Sequence, residues 1–380
     1  STLAVTLSPE NPANGMVVAN SNRAVLLAFD VTAGKEDVTL RKASFKFTGL
    51  GDSKIVEDLA IYSNDVKLTK GEPKFNSKQV ADVSFDRNIV VKAGETKTLY
   101  VTATIKPENA SGNIANVYNQ TVRVSLTNLD SSATVTGASL NGATLTPYAV
   151  ANRGAIEVDT TSANGKMGIG EETNLYNFSV RESNKKEDVV VKSVTFAEGS
   201  TNGVDIDNIA NLSLMANGKK LDAKFTIQKS KIVASLNQVV KSGEKVNFVL
   251  RGEATDDLNK RLELKLDDVY AVGATTDIAV ATTPAKAYVT TSKNVEGTAV
   301  NFTLDRNDVN EISANTDDAK LGDLVLVTTS NYNADIEVTV SSTEVEDLEL
   351  GGDLGKADAA KKVFTFKDVQ LNKGTTKLPL

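Results

Sequence analysis

The chain has 380 residues, with 42 basic against 49 acidic side chains, a net charge of −7 and no run of 18 apolar residues. That length suits two to three ordinary domains, and the dispersed charge excludes both the clustered basic stripe of a nucleic-acid groove and an apolar membrane-crossing helix. Cysteine and histidine are both absent, which removes disulfides, thiolate metal sites, Cys nucleophiles and the usual neutral-pH proton shuttle.

Nearly every segment reads as strand. Residues 4–8, 38–47, 98–105, 121–126, 188–196 and 335–340 alternate apolar and polar side chains and are rich in β-branched types. Turn signals fall between them at Ala33-Gly34, Asn64-Asp65, Ala93-Gly94, Asn141-Gly142, Asn217-Gly218, Ser242-Gly243 and Gly351-Gly352. Only Lys356 to Lys362 reads as one or two helical turns. With 5% aromatic residues and no Trp, the cores are expected to be built from Val, Ile, Leu and Ala. Short alternating strands with frequent turns predict an all-β chain of antiparallel sandwiches.

The chain also repeats itself. Val90-Val91-Lys92-Ala93-Gly94-Glu95 returns 149 residues later as Val239-Val240-Lys241-Ser242-Gly243-Glu244. Lys35-Glu36-Asp37-Val38 returns as Lys186-Glu187-Asp188-Val189, and the stretch from Leu59 to Leu68 matches that from Leu212 to Leu221. A third copy is more worn: Val56-Glu57-Asp58-Leu59 reappears as Val345-Glu346-Asp347-Leu348, and Lys373-Gly374-Thr375 sits where Lys92-Ala93-Gly94 sat. Tandem copies of this length pave or extend a surface, and a catalytic centre seldom needs three of them.

The reading is therefore three tandem sandwiches at residues 1–152, 153–286 and 287–380, the third incomplete. The joints near residues 148–153 and 284–287 are short and not rich in Gly or Ser, which predicts a semi-rigid rod. Each joint leads into a similar opening strand, at residues 155–162 and 287–292. The opening Ser1-Thr2-Leu3 is expected to be a processed or trimmed end. Only six residues follow Gly374, against about 55 between Gly94 and the next domain. The missing strands are expected from a continuing polypeptide or from a neighbouring subunit's residues 1–8.

Three stretches carry a family resemblance: Ala33-Gly34-Lys35-Glu36-Asp37-Val38, the hairpin Leu59-Ala60-Ile61-Tyr62-Ser63-Asn64, and Val90-Val91-Lys92-Ala93-Gly94-Glu95 with the Thr-Lys-Thr-Leu that follows. Together they resemble tandem immunoglobulin-like repeats of bacterial surface-layer and cell-surface proteins. The similarity is strongest in the first domain, weaker in the second and faint in the third. Lys92 stands where such repeats commonly have Pro, and Ser183-Asn184 replaces the Ala-Gly step in the second copy. The resemblance implies immunoglobulin-like sandwiches and an extracellular, cell-surface location, and it specifies no ligand.

For chemistry, the sharpest acidic cluster is Asp305, Asn307, Asp308, Asn310 and Glu311, a flexible oxygen-rich loop of the kind calcium favours. It lacks the central Gly and terminal Glu spacing of an EF-hand loop, and Arg306 intrudes a positive charge, so a solvated polar loop competes with the ion. Asp205-Ile206-Asp207-Asn208, Asp256-Asp257 and Asp267-Asp268 read as ordinary loop acids. Gly168-Ile169-Gly170 is too short for a phosphate fingerprint. Five N-x-S/T sequons occur, at Asn109, Asn119, Asn177, Asn211 and Asn301, with Asn177 and Asn211 inside predicted strands. Lys–Asn isopeptide staples are conceivable in a chain without Cys, but no acid beside a Lys–Asn pair stands out.

The expected function is a non-enzymatic structural protein of a prokaryotic cell surface. It would self-associate into a surface-layer lattice or a filament, with cell-wall or glycan contact as a further expectation and no cofactor except calcium as a candidate. Two alternatives stand beside it: an adhesin or carbohydrate-binding module array, which the lack of Trp counts against, and spacer domains of a secreted hydrolase.

Overall fold

The computed structural model describes residues 1–87, 89–106, 120–199, 202–284, 288–296, 300–306, 316, 319–328, 331–341 and 345–380. Among them there is no α-helix. The first unit comprises β1 (Thr2–Leu7), β2 (Gly15–Val18), β3 (Ala24–Ala33), β4 (Val38–Phe47), β5 (Val56–Ser63), β6 (Val66–Lys67), β7 (Val80–Ser84), β8 (Val90–Val91), β9 (Thr96–Ile105), β10 (Val124–Ser131), β11 (Thr134–Thr136) and β12 (Leu145–Tyr148). One sheet runs β11-β1-β3-β9-β5-β6; the other layer holds β10-β4-β7, with β8 also on β4, and the pair β12-β2.

The second unit comprises β13 (Ala155–Thr161), β14 (Gly165–Gly168), β15 (Thr173–Glu182), β16 (Val189–Glu198), β17 (Ile209–Ala216), β18 (Lys219–Lys220), β19 (Lys224–Gln228), β20 (Lys231–Val240), β21 (Lys245–Ala254), β22 (Arg261–Gly273), β23 (Ala281–Thr283) and β24 (Thr290–Glu296). Its sheets run β23-β13-β15-β21-β17-β18 and β14-β24-β22-β16-β20-β19. The first of these copies the order of the first unit strand for strand. In both units the opening strands pair in parallel with the closing ones: β1 with β11 and β2 with β12, then β13 with β23 and β14 with β24.

The third unit holds β25 (Val300–Asp305), β26 (Asp323–Thr328), β27 (Tyr332–Thr339), β28 (Glu349–Leu350), β29 (Asp353–Leu354), β30 (Lys356–Ala357), β31 (Val363–Leu371) and β32 (Gly374–Pro379). These form the sheets β25-β26-β32 and β27-β31-β30 and the pair β28-β29. Residues 290–296, in the stretch read as opening the third domain, lie as β24 in a sheet of the second unit. Lys356 and Ala357 are not helical: they pair with Thr365 and Phe364 of β31. The turn that follows is closed by Asp358 Oδ1, which accepts from the N–H groups of Lys362 and Val363 at 2.7 and 3.1 Å. One short turn stabilises a helix less than a sheet edge does here, because helix nucleation is unfavourable. Residues 1–8 are already engaged, since β1 pairs with β3 and β11, so they are not available as a donor strand.

The repeated sequence anchors meet in space. Asp37, just before β4, accepts from Ala93 N–H at 2.9 Å and binds Lys92 Nζ at 2.8 Å. Asp188, just before β16, does the same with Ser242 N–H at 2.8 Å and Lys241 Nζ at 2.8 Å. Gly94 and Gly243 complete these turns at φ +72° and +77°, which L side chains adopt at a cost. The third unit keeps the geometry with a neutral group: Asn331, just before β27, accepts from Lys373 N–H at 2.5 Å. A second device recurs too. Asp52 and Asp205 each cap a one-turn 3₁₀ helix by accepting from the N–H two residues on.

Phe29, Val31, Phe45, Phe47, Leu59, Ile61, Leu99, Val101 and Ile105, the inward set that alternation assigns to the first unit, are all buried. The first core is mainly aliphatic. The second departs from expectation, because four rings centre it. Phe178 stacks on Phe248 at 4.9 Å, and Phe196 meets Tyr176 and Phe178 edge-on at 5.6 and 5.9 Å. Val327 of β26 packs into this second core, while Leu324, Leu326, Phe364 and Phe366 belong to the smaller third one.

Candidate functional site at the joint of the first two units

The most elaborate side-chain constellation lies between the first and second units. Arg23 ends the turn before β3 in the left-handed region, φ +55°, and its side chain leaves the first unit to reach the second. Nη2 donates to Asp268 Oδ2 at 2.6 Å and Nη1 to Ser193 Oγ at 3.4 Å. The guanidinium lies 4.4 Å from the Tyr62 ring centroid of β5 and 4.3 Å from that of Tyr270 in β22. One cation is thus held between two aromatic faces, one from each unit. The Arg23 side chain is 12% exposed and that of Asp268 45%.

The electrostatics follow from this packing. Burial works against the Arg23 charge, but Tyr62, Asp268 and Tyr270 outweigh it and hold the guanidinium above its ordinary value. Burial also raises the Tyr62 and Tyr270 phenols, so both rings stay neutral across physiological pH. Nearby, burial followed by Asp268 and Tyr176 pushes Tyr288 up to about 12.

The connecting segment is tied at both ends. Arg153 donates back to the first unit, to Asn20 O at 2.8 Å and Ala19 O at 3.4 Å. Its own carbonyl accepts from Asn184 Nδ2 at 2.8 Å. Gly154 N–H donates to Glu187 Oε1 at 3.0 Å, and the same carboxylate accepts from Thr275 N–H, Thr276 N–H and Thr276 Oγ1. Burial alone would raise the Glu187 pKa, yet the donors from Gly154, Thr276 and Thr275 outweigh it and hold the carboxyl below its ordinary value. A Cβ at Gly154 would stand 2.7 Å from Val189 Cγ1, so the close approach requires glycine. A peripheral pair, Lys229 with Asp86 at 3.5 Å, adds one more crossing.

Sequence reasoning missed this site. Arg23 and Tyr270 carry no motif, and Tyr62 stands out only as part of the hairpin from Leu59 to Asn64. Asp268, read as a loop acid, lies within β22. The available signal was its position inside the alternating run from Leu262 to Tyr270, where an acid needs a reason. Asp257, also read as a loop acid, is buried and accepts from Asp205 N–H and Asn208 Nδ2 at 2.9 and 2.8 Å while pairing with Lys260. Of the calcium candidates, Asp305 alone is among the described residues. Asp305 lies exposed at the end of β25, opposite Asp323, and Asn307, Asp308, Asn310 and Glu311 lie outside the described residues, as do the sequons at Asn109 and Asn119. Among the described residues no group of three or more acids is placed to hold a metal ion. Asn177 and Asn211 do lie in strands, β15 and β17.

No family model matches the chain, and no curated protein matches it. Among solved structures, it is similar to a non-cellulosomal cohesin from the hyperthermophilic archaeon Archaeoglobus fulgidus, at 10% identity over 37% of this chain and 91% of that one, with a TM-score of 0.24. The C-terminal domain of a Streptococcus agalactiae AgI/II polypeptide overlaps at 10% identity, 76% of this chain and 99% of that one, with a TM-score of 0.21. The major pilin subunit of Bacillus cereus overlaps at 11% identity and 88% of each chain, with a TM-score of 0.23. Overlaps of this size say nothing of activity or partner.

Proposed function

We propose that the chain is a non-enzymatic structural protein of a prokaryotic cell surface, whose tandem sandwiches assemble into a surface-layer lattice or a filament. The observation that carries this reading is the joint. A chain that fixes the orientation of two successive sandwiches with a largely enclosed Arg23, two tyrosines and a clamped linker behaves as a spacer of defined geometry. Ordered assembly needs units of that kind, because subunits that flex at every joint do not repeat on a lattice. The repeated clamp at Asp37, Asp188 and Asn331 fits the same purpose, since it is spent on folding each unit and not on a ligand. The residues that resemble surface-layer repeats supply the location.

Electron microscopy of the purified protein, together with protease shaving of intact cells, tests the proposal. Sheets or fibres from a protein removed by shaving are expected. Monodisperse single particles, or a protein protected inside the cell, would overturn it.

A further inference from the structure

The sequon Asn211-Leu212-Ser213 stands within β17, and the fold brings its Asn to the surface. The pairing of β17 with β21 skips from Ala210 to Ser213, which makes a β-bulge. Asn211 sits on this bulge in the left-handed region, φ +52°. Its side chain is exposed, with Nδ2 donating to Glu253 Oε1 at 2.6 Å. On the other side of β17, β18 pairs only with Met215 and Ala216, so no described strand flanks Asn211 there. Asn177, the other sequon Asn whose side chain is described, is half-buried in β15 between β13 and β21, and its Oδ1 is enclosed.

The first unit shows which of these features the fold itself needs. Its β5 carries the same bulge: the pairing with β9 skips from Glu57 to Ala60, and Asp58 stands at φ +53°. Asn and Asp tolerate that conformation better than other side chains, so the bulge alone accounts for an Asn at position 211. It does not account for Ser213. The residue in the same place in the first unit is Ala60, 3% exposed, and Ser213 is 5% exposed. The Ser213 hydroxyl is enclosed and has no hydrogen-bond partner among the described residues. A buried hydroxyl left unpaired destabilises the fold, and an alanine there does not. A group that works against the folded state needs a reason outside it. A hydroxyl two residues after an Asn is what an oligosaccharyltransferase requires of its acceptor.

We infer that Asn211 is an N-glycosylation site, modified before the second unit folds. The donor is an oligosaccharide carried on a polyprenyl diphosphate. Asn211 Nδ2 bonds to the sugar C1 and gives up one proton, while the bond from C1 to the diphosphate oxygen breaks and polyprenyl diphosphate leaves with its electron pair. The N–H that remains on Nδ2 is still available to Glu253, so the native contact survives. The order of events follows from burial, because a transferase reaches the Ser213 hydroxyl only while β17 is unpaired. Once β17 joins the sheet, the glycan projects from the bulge into solvent. The inference rests on the export of the chain that the proposed function includes, and not on its assembly.

The test is mass spectrometry of the full chain purified from the cells that make it. The tryptic peptide of residues 193–219 contains Asn211 as its one sequon, and it should be heavier by the mass of a glycan. Asn211→Asp and Ser213→Ala install the side chains that the first unit has at Asp58 and Ala60, so both should fold, and both should leave the peptide bare. Ser213→Thr should keep the glycan, because it keeps the hydroxyl. A bare peptide in the parent chain, or a glycan that survives Ser213→Ala, would overturn the inference. So would a lower melting temperature for Ser213→Ala than for the parent when both are made in a host without the transferase, since the hydroxyl would then serve the fold. A bare protein that still forms sheets or fibres overturns this inference and leaves the proposed function standing.

Discussion

Arg23 Nη2 lies 2.6 Å from Asp268 Oδ2, a charge pair that joins residues 245 apart in sequence and belonging to two sandwiches. Neither unit needs this contact for its own core, as both residues lie outside the two apolar clusters. Its role is between the units. Arg23→Ala removes the charge-assisted bond and both ring contacts, which together contribute about 1–3 kcal/mol to docking. Small-angle scattering should show a broader distribution of shapes, and the first two units should melt at more separated temperatures. An unchanged scattering profile would show that the linker alone sets the orientation. Arg23→Lys should rescue only partly, because an ammonium cannot stack flat between two rings.

Glu187 predicts an acid response of the same joint. Its folded pKa lies below the ordinary value of 4.5, so its stabilising contribution is complete above that value and is lost as pH falls through the lower folded one. Asp37 and Asp188 are shifted the same way, first by their hydrogen bonds from Lys92 and Lys241, and add to the slope. Glu187→Gln should flatten part of the melting-temperature drop between about pH 5 and pH 3. Identical pH profiles for the two proteins would contradict this.

Lys293 is a buried lysine without a hydrogen-bond or ion-pair partner among the described residues, 8% exposed on β24, and burial lowers its pKa. The same place in the first unit, opposite the glycine that opens the parallel partner strand, holds Leu145. Lys293→Leu should therefore stabilise the second unit by roughly 1 kcal/mol, read as a rise in its melting temperature. A fall would show that the ammonium makes a contact worth more than its burial costs.

Phe45 is fully buried at the centre of the first core. Phe45→Ala should cost about 3–5 kcal/mol in chemical denaturation. The second unit's transition should move by no more than the docking contribution of the joint, since its aromatic cluster is separate.

Much of this fold is legible in the sequence. Alternation places β4 and β9 and puts the nine named core residues inward, because one face of each strand must be apolar to be buried at all. The repeat offset predicts the shared topology, and the clamp between Asp37 and Ala93 gives a physical reason for two of the three matched stretches. Three things were not legible. The aromatic centre of the second core depends on which of a few Phe and Tyr residues face one another, and strand spacing does not encode that. The terminal strand β24 looks like the start of a unit because opening and closing strands share a composition. The Arg23 joint depends on where a long side chain lands across an interface, on residues far apart in sequence.

The parallel pairing of opening and closing strands in the first two units has a mechanical consequence. Tension applied along the chain pulls β1 and β2 toward their starts and β11 and β12 toward their ends, so parallel neighbours are drawn past each other lengthwise. The hydrogen bonds between them then bear the load together and do not open one at a time, as they do when a hairpin is peeled from its tip. Each of these sandwiches is closed by a shear-loaded latch, and the force that breaks it scales with the number of bonds that must fail at once.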